Sequence, residues 1–307
     1  MHYKYIFGPV YSRRFGVSLG VDLSPNRKSC NFDCLYCELG KGKVVSFIED
    51  EPDVEEIIRE IRDFLSKNKK PNYITVTANG EPTLYSKLDV LIEEINKFKG
   101  NVKTLILSNA STIYREDIQK ILTKFDTVKL SLDAVSEKTF KKIDKPLNGI
   151  SINQIINGIK AFRKIYKGEL VIEVLIVKFV NDSLNEIKKL SDVLTEIKPD
   201  RIDLGTIDRP PAYRVFPVNN EELYKFAEIF KEKELPVNVI ERKNIYLPEF
   251  ELTEMEIINT LRKRPLTVED IESIFSLETL KKIEKLEKEG KLEKKVINGR
   301  EFLCATI

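Results

Sequence analysis

The chain is poor in several residues on which common catalytic machineries depend. Its 307 residues hold one histidine (His2), no tryptophan, two methionines and four cysteines. No catalytic Ser/His arrangement stands out around that lone histidine. No P-loop occurs, and no Gly-x-Gly-x-x-Gly follows a strand-like segment, which argues against a nucleotide hydrolase or a dinucleotide dehydrogenase. Charge of either sign is not in excess: 51 Lys and Arg against 49 Asp and Glu leave +2. That balance excludes a globally basic nucleic-acid binder and an acidic-tail protein. There is no run of 18 apolar residues and no apolar core of signal-peptide length near the N-terminus, so the expectation is a soluble, cytoplasmic protein without a membrane partner. Four cysteines are too few for a disulfide scaffold. Glutamine is almost absent (Gln119 and Gln154) while Lys, Glu and Ile are abundant, a composition that suggests a heat-adapted source.

What is present is a large apolar fraction, 42%, in a chain of 35.5 kDa, enough for a sizeable core in one large α/β domain with an appendage or in two domains. Short apolar runs at residues 17–23, 73–78, 104–108, 127–132, 170–177 and 201–205, with an extra one at 237–240, read as buried parallel strands. Between them, Ile and Leu recur at three- and four-residue steps over 54–65, 88–98, 116–122, 152–165, 184–197 and 221–230, predicting helices. Repeated βα units give either an open doubly wound sheet or a barrel, and six units are fewer than a closed (βα)8 barrel has. The expectation is α/β, a partial (βα)6 TIM-like barrel open on one side. After Pro248 the pattern changes to three short helices at 253–264, 268–274 and 277–289, then a hairpin of 291–297 and 300–306 turning at Asn298-Gly299. Three helices and a two-stranded hairpin are the winged-helix pattern. The expected divisions are 1–241 for the core, 242–252 for a linker and 253–307 for the winged-helix-like unit.

Three of the four cysteines fall within eight positions, Cys30, Cys34 and Cys37, in the pattern C-x3-C-x2-C just after the first apolar run. Soft thiolates separated by two or three residues can each reach a different iron of one cubane cluster, and three ligands leave one iron open to substrate. Arg27 and Lys28 stand upstream to offset thiolate charge. A structural zinc site completed by Cys304 is the competing reading, although Cys304 sits in Phe302-Leu303-Cys304-Ala305, where a small buried residue on a strand is the simpler account.

C-x3-C-x-aromatic-C after the first strand of a βα series resembles the radical S-adenosylmethionine (radical SAM) superfamily, over roughly residues 8–241. Within it, Gly8-Pro9-Val10, Ser12-Arg13-Arg14, Gly16 and Ser18 to Asp22 look like a subgroup related to wyosine-base tRNA enzymes, MoaA-like in type. The resemblance implies a [4Fe-4S] cluster on Cys30, Cys34 and Cys37, S-adenosylmethionine as the second cofactor, and a ferredoxin- or flavodoxin-like electron donor. Thr77-Ala78-Asn79-Gly80-Glu81-Pro82 is similar to the family's Gly-Gly-Glu-Pro loop, with Asn79 in place of the first glycine; there the family meets the methionyl amino group. Taken alone, Gly80-Glu81-Pro82 is an ordinary turn. Ser108-Asn109 and Ser131-Leu132-Asp133 close the next two strands, where the family places ribose and carboxylate contacts; helix capping explains the same residue types equally well. Tyr36 matches the aromatic position beside adenine, and Gly205-Thr206 the backbone contact to adenine; a core aromatic and a strand end are the plain alternatives. Glu173, Lys178 and Arg209 are charges near the same strand ends, by default solvated.

The implied reaction is reductive cleavage of S-adenosylmethionine to a 5′-deoxyadenosyl radical, for which no protein general base is needed. Three substrates stay open: a tRNA or other RNA, a protein or peptide docked by the winged helix, or none, the chain being a metal or redox sensor with a DNA-binding winged helix. Residues 253–307 hold 11 Lys and Arg against 11 Asp and Glu, a poor match to phosphates; only the wing, with Lys291, Lys294, Lys295 and Arg300, is locally basic.

Overall fold

The computed structural model describes residues 3–12, 14–67, 70–240, 252–263, 265–268, 270–271, 275–297 and 300–306. His2, nearly all of the expected linker, most of the expected helix at 268–274 and the Asn298-Gly299 turn lie outside them.

Eight strands form one sheet in chain order: β1 (Ile6–Ser12), β2 (Gly16–Asp22), β3 (Tyr73–Thr77), β4 (Lys103–Ser108), β5 (Thr127–Ser131), β6 (Glu169–Ile176), β7 (Arg201–Thr206) and β8 (Val237–Val239). From β2 onward every neighbour is parallel, and β1 alone runs antiparallel. The crossovers are α1 (Val54–Lys67), α2 (Leu88–Phe98), α3 (Glu116–Leu122), α4 (Glu137–Ile143) with α5 (Ile152–Ile165), α6 (Leu184–Ile197) and α7 (Asn220–Lys231). Because strand order never reverses, right-handed crossovers all step the same way and leave the helices on one face. Neighbouring helices accordingly touch: α1 with α2, α2 with α3, α5 with α6, and α6 with α7.

The expected strands are present within two residues of their anticipated ends. Their outward positions, such as Ile74, Val76, Ile106, Val128, Leu130, Ile172, Val174, Ile202 and Leu204, are buried under helical residues including Ile57, Ile61, Leu91, Ile159, Phe162, Leu190 and Leu194. The alternate positions Tyr73, Leu105 and Val171 form a small second cluster with Phe15, which precedes β2, and the same face carries the charged side chains of Lys129 and Glu173. Local chemistry sets where several helices begin. Ser151 and Ser183 accept from the backbone N–H of Gln154 and Glu186, and Asn219 with Glu222 forms a capping box at α7.

Strand β1 was not expected, because Gly8-Pro9 interrupts its pattern. The structure accommodates them at a register shift between Phe7 and Val10, on an edge strand where a missing N–H is tolerated. Its outer side is not bare. Gly8 donates to Thr260 Oγ1 at 3.4 Å and Asn259 Nδ2 donates to the Tyr3 carbonyl at 3.1 Å, both from α8 (Glu254–Lys263). Helix α8 belongs to a separate apolar cluster with β9 (Leu266–Thr267), α9 (Leu277–Lys288), β10 (Leu292–Ile297) and β11 (Arg300–Ala305). Its antiparallel sheet has the order β10-β11-β9, one strand more than the expected hairpin.

The start of β1 is held by one carboxylate. Buried Glu60 on α1 accepts from the N–H groups of Lys4 and Tyr5, each at 2.8 Å, and of Ile6 at 3.2 Å. Glu60→Ala leaves three donors to find water and is expected to cost about 2–4 kcal/mol in urea denaturation. A loss below about 0.5 kcal/mol would mean that these donors are satisfied another way.

Candidate active site

The carboxyl ends of β2 to β7 share one edge of the sheet, and the cysteine loop lies there. Between β2 and α1 the chain makes its longest excursion, and Cys30, Cys34 and Cys37 are free and half-buried on it. This excursion is fastened to the loop after β3. Ser29 and Gly80 form a parallel bridge, in which Ser29 N–H donates to the Asn79 carbonyl at 2.8 Å and Glu81 N–H to the Ser29 carbonyl at 3.0 Å. Gly80 has φ of +149°, and a Cβ there would overlap the Ser29 carbonyl and crowd Cys30 N. Only glycine fits. Asn79, which departs from the family pattern, meets no such restriction; its N–H donates to Asp22 Oδ1 at 2.8 Å.

Glu81 is turned inward and is 1% exposed. Its Oε1 accepts from Thr83 N–H at 3.0 Å, Thr83 Oγ1 at 2.6 Å and Ser108 Oγ at 2.8 Å; its Oε2 accepts from Asn109 N–H at 2.7 Å. The carboxylate thereby joins the ends of β3 and β4 and caps a short 3-10 turn at Pro82–Leu84. Burial raises its pKa, against the pull of these donors. Asn109 Nδ2 in turn donates to Asn31 Oδ1 at 2.9 Å and lies 3.6 Å from Cys30 Sγ.

Tyr36, Asn109, Ser131, Asp133 and Asp144 line one small cleft with Phe32, Leu132 and Phe140. The Tyr36 hydroxyl donates to Asp133 Oδ2, whose other oxygen accepts Leu175 N–H at 2.7 Å. Burial pushes Asp133 up to about 7. Asp144, which the sequence did not single out, accepts from Cys34 Sγ at 3.3 Å, and burial followed by Asp133 raises its carboxyl well above the usual range. Asn31 and Asn181 were also missed; Asn181 Nδ2 donates to the Asp133 carbonyl at 2.7 Å. Neither residue type nor spacing marks them, since they act through contacts made across loops.

Gly205 and Thr206 sit at the end of β7. The Thr206 hydroxyl donates to the Ile176 carbonyl at 2.7 Å and accepts from Val218 N–H at 3.0 Å, stitching the ends of β6 and β7 to the following loop. Below the cleft, on the face away from the helices, Glu173 pairs with Arg14 and, at 2.5 Å, with Lys129. Burial would raise Glu173, but Arg14 and Lys129 hold its carboxyl well below the usual range; burial and Arg14 push Lys129 down to about 8. Lys178 and Arg209 are paired with Glu222 and Glu38.

The donor set suits a metal cluster. Burial pushes the Cys30 thiol up to about 12, and burial followed by Asp144 raises the Cys34 thiol well above its usual value; the charge of Cys37 adds to both, and Lys28 counteracts the Cys30 shift only in part. Thiolates so placed need a multivalent cation. Among the described residues no three Cys, His, Asp or Glu side chains converge as a single ion requires. A cube with irons at separate corners asks for a wider spacing. Cys304 lies on β11, opposite Glu293, in the other apolar unit.

A family model described as the Radical SAM superfamily matches residues 28–193. The chain is 42% identical to a UPF0026 protein of Helicobacter pylori over 98% of its own length and 97% of that protein's. It is 26% identical to a probable dual-specificity RNA methyltransferase RlmN of Thermotoga petrophila, over 55% of this chain and 50% of that one. Among solved structures, Streptococcus suis SuiB bound to precursor peptide SuiA has a TM-score of 0.56 at 20% identity, covering 72% of this chain and 48% of that one.

Gly80→Ala should lose most of the iron that anaerobic reconstitution gives the native chain, because the bridge to Ser29 must open. Asn79→Gly should keep its iron. Equal iron content in the two variants would show that the bridge does not shape the cysteine loop.

Proposed function

The chain belongs to the radical SAM superfamily, and within it to the proteins designated UPF0026, and we propose on that footing that Cys30, Cys34 and Cys37 hold a [4Fe-4S] cluster by three irons. It is an enzyme, and its cofactors are that cluster and S-adenosylmethionine. Together they supply one-electron cleavage of the sulfonium to a 5′-deoxyadenosyl radical that removes a hydrogen atom from substrate. The electron comes from a ferredoxin- or flavodoxin-like donor.

The chain's own residues divide by what their polar groups are free to do. Asn79 commits its backbone N–H to Asp22 and its carbonyl to Ser29, so the Gly80 backbone, held against the cysteine loop, is assigned to the methionyl end. Tyr36 and Ser131 line the cleft beside the sulfurs and are assigned to the adenosine half, with Asp133 fixing the Tyr36 hydroxyl. Asn109 and the Gly205 backbone border the same strand ends. Glu81, Pro82, Ser108 and Thr206 are positioning residues in this reading, since their polar groups or ring already serve the loops. The charged face below, Arg14, Lys129 and Glu173, bounds the space a substrate must share with C5′.

The sheet is taken as an open (βα)6 barrel and residues 253–307 as a winged helix, with 242–252 as the linker; the sequential strand order and the three-stranded C-terminal sheet support both. The substrate we assign is RNA, supported by the similarity to an RNA methyltransferase across just over half of the chain. The single observation that carries the proposal is the bridge between Ser29 and Gly80, which fastens the Cys30 end of the cysteine loop to the loop expected to receive the methionyl group.

Anaerobic reconstitution with iron and sulfide, followed by reduction with S-adenosylmethionine, tests it. About four irons per chain and release of 5′-deoxyadenosine are expected, with bulk tRNA raising the rate. Cys30→Ala, Cys34→Ala and Cys37→Ala together should abolish both. One zinc per chain and no iron would sink the proposal.

A further inference from the structure

The three lysines of the expected nucleic-acid contact, the basic wing, are already paired with carboxylates. Lys291 pairs with Glu289 at 2.6 Å, Lys295 with Glu293 at 2.6 Å, and Lys294 with Glu301 at 3.4 Å. Positive charge is in surplus elsewhere. Four loops at the carboxyl edge of the sheet, residues 28–45, 141–147, 177–182 and 207–217, hold nine Lys and Arg against five Asp and Glu, in a chain whose total is only +2.

These loops form one surface. Leu35 N–H donates to the Ile143 carbonyl at 2.8 Å and Tyr213 N–H to the Leu35 carbonyl at 3.2 Å. Lys142 Nζ donates to the Phe179 carbonyl at 2.9 Å, and Lys178 N–H to the Phe216 carbonyl at 2.9 Å. Lys43, Lys142 and Arg214 are exposed and have no carboxylate partner among the described residues. The rings on this surface are exposed as well: Phe216 by 50% and Phe179 by 74%. Phe179 holds that position at φ of +63°, a left-handed conformation that is unfavourable for a bulky residue. A strained backbone that turns a phenyl ring into water is unprofitable for the fold alone.

We infer that the four loops around the cysteines, rather than the C-terminal wing, are the docking surface for RNA: Lys43, Lys142 and Arg214 take backbone phosphates, and Phe179 and Phe216 stack on unpaired bases. Unpaired cations beside exposed aromatic rings are the combination by which proteins hold unpaired RNA. The inference rests on the proposed function for its substrate class and adds where that substrate sits.

Filter binding of bulk tRNA to the reconstituted full-length protein over a series of KCl concentrations tests it. Lys43→Gln, Lys142→Gln and Arg214→Gln combined should weaken binding about tenfold or more and lower the salt slope by about two, at roughly 0.7 per phosphate contact. Phe179→Ala with Phe216→Ala should weaken binding several-fold and leave the slope unchanged. Lys294→Gln with Lys295→Gln should stay within about twofold of the native protein. Thermal unfolding of each variant separates a lost surface from a lost fold. Loss confined to the wing variant, native-like binding by the loop variant, salt-independent binding, or capture of polyglutamate in place of tRNA overturns the inference. Binding that follows the loop substitutions while tRNA neither stimulates 5′-deoxyadenosine release nor is altered overturns the modification reading and leaves the surface standing.

Discussion

The arrangement depends on two main-chain hydrogen bonds between the cysteine loop and the loop after β3. A long excursion carrying three thiols has little intrinsic reason to hold one shape, because neighbouring thiolates repel and burial disfavours their charge. The bridge of Ser29 to Gly80 gives it a rigid edge, as if the excursion were a further strand on the β3 loop. That edge is available because residue 80 has no side chain. A methyl group there would occupy the Ser29 carbonyl.

Glu81 extends the same device sideways. Its buried carboxylate gathers donors from Thr83, Ser108 and Asn109, so the ends of β3 and β4 and, through Asn109 and Asn31, the cysteine loop itself are tied to one group. A fully occupied buried carboxylate is rigid because leaving any of its donors unpaired is costly. The polar inner face continues downward as Lys129, Glu173 and Arg14, opposite charges held together away from water. One sheet edge therefore carries open polar groups and cations, while the helical side is predominantly apolar.

Residues 17–240 were legible at the level of elements, because parallel strands buried on the helix side and amphipathic helices leave strong, regular signals; the exception is α4 (Glu137–Ile143), too short to show a period. Strand β1 was not, since Gly8-Pro9 breaks the period and only pairing with β2 and cover from α8 make it a strand. The cysteines stand out as a group from spacing alone, and the structure keeps all three free on one excursion of the chain. Asp144 and Asn181 were invisible: their importance lies in what they face across loops, at Cys34 and the Asp133 carbonyl. The wing lysines looked available in the sequence and are paired in space.

By itself the sequence determined the order of the parallel strands and their main crossover helices and the trio of thiols, because periodicity and spacing are local properties that need no partner. Tertiary structure alone decided which glycine is indispensable, which carboxylate is committed inward and which cations remain unpaired. Those depend on what stands opposite each group, and a linear chain does not state its opposites.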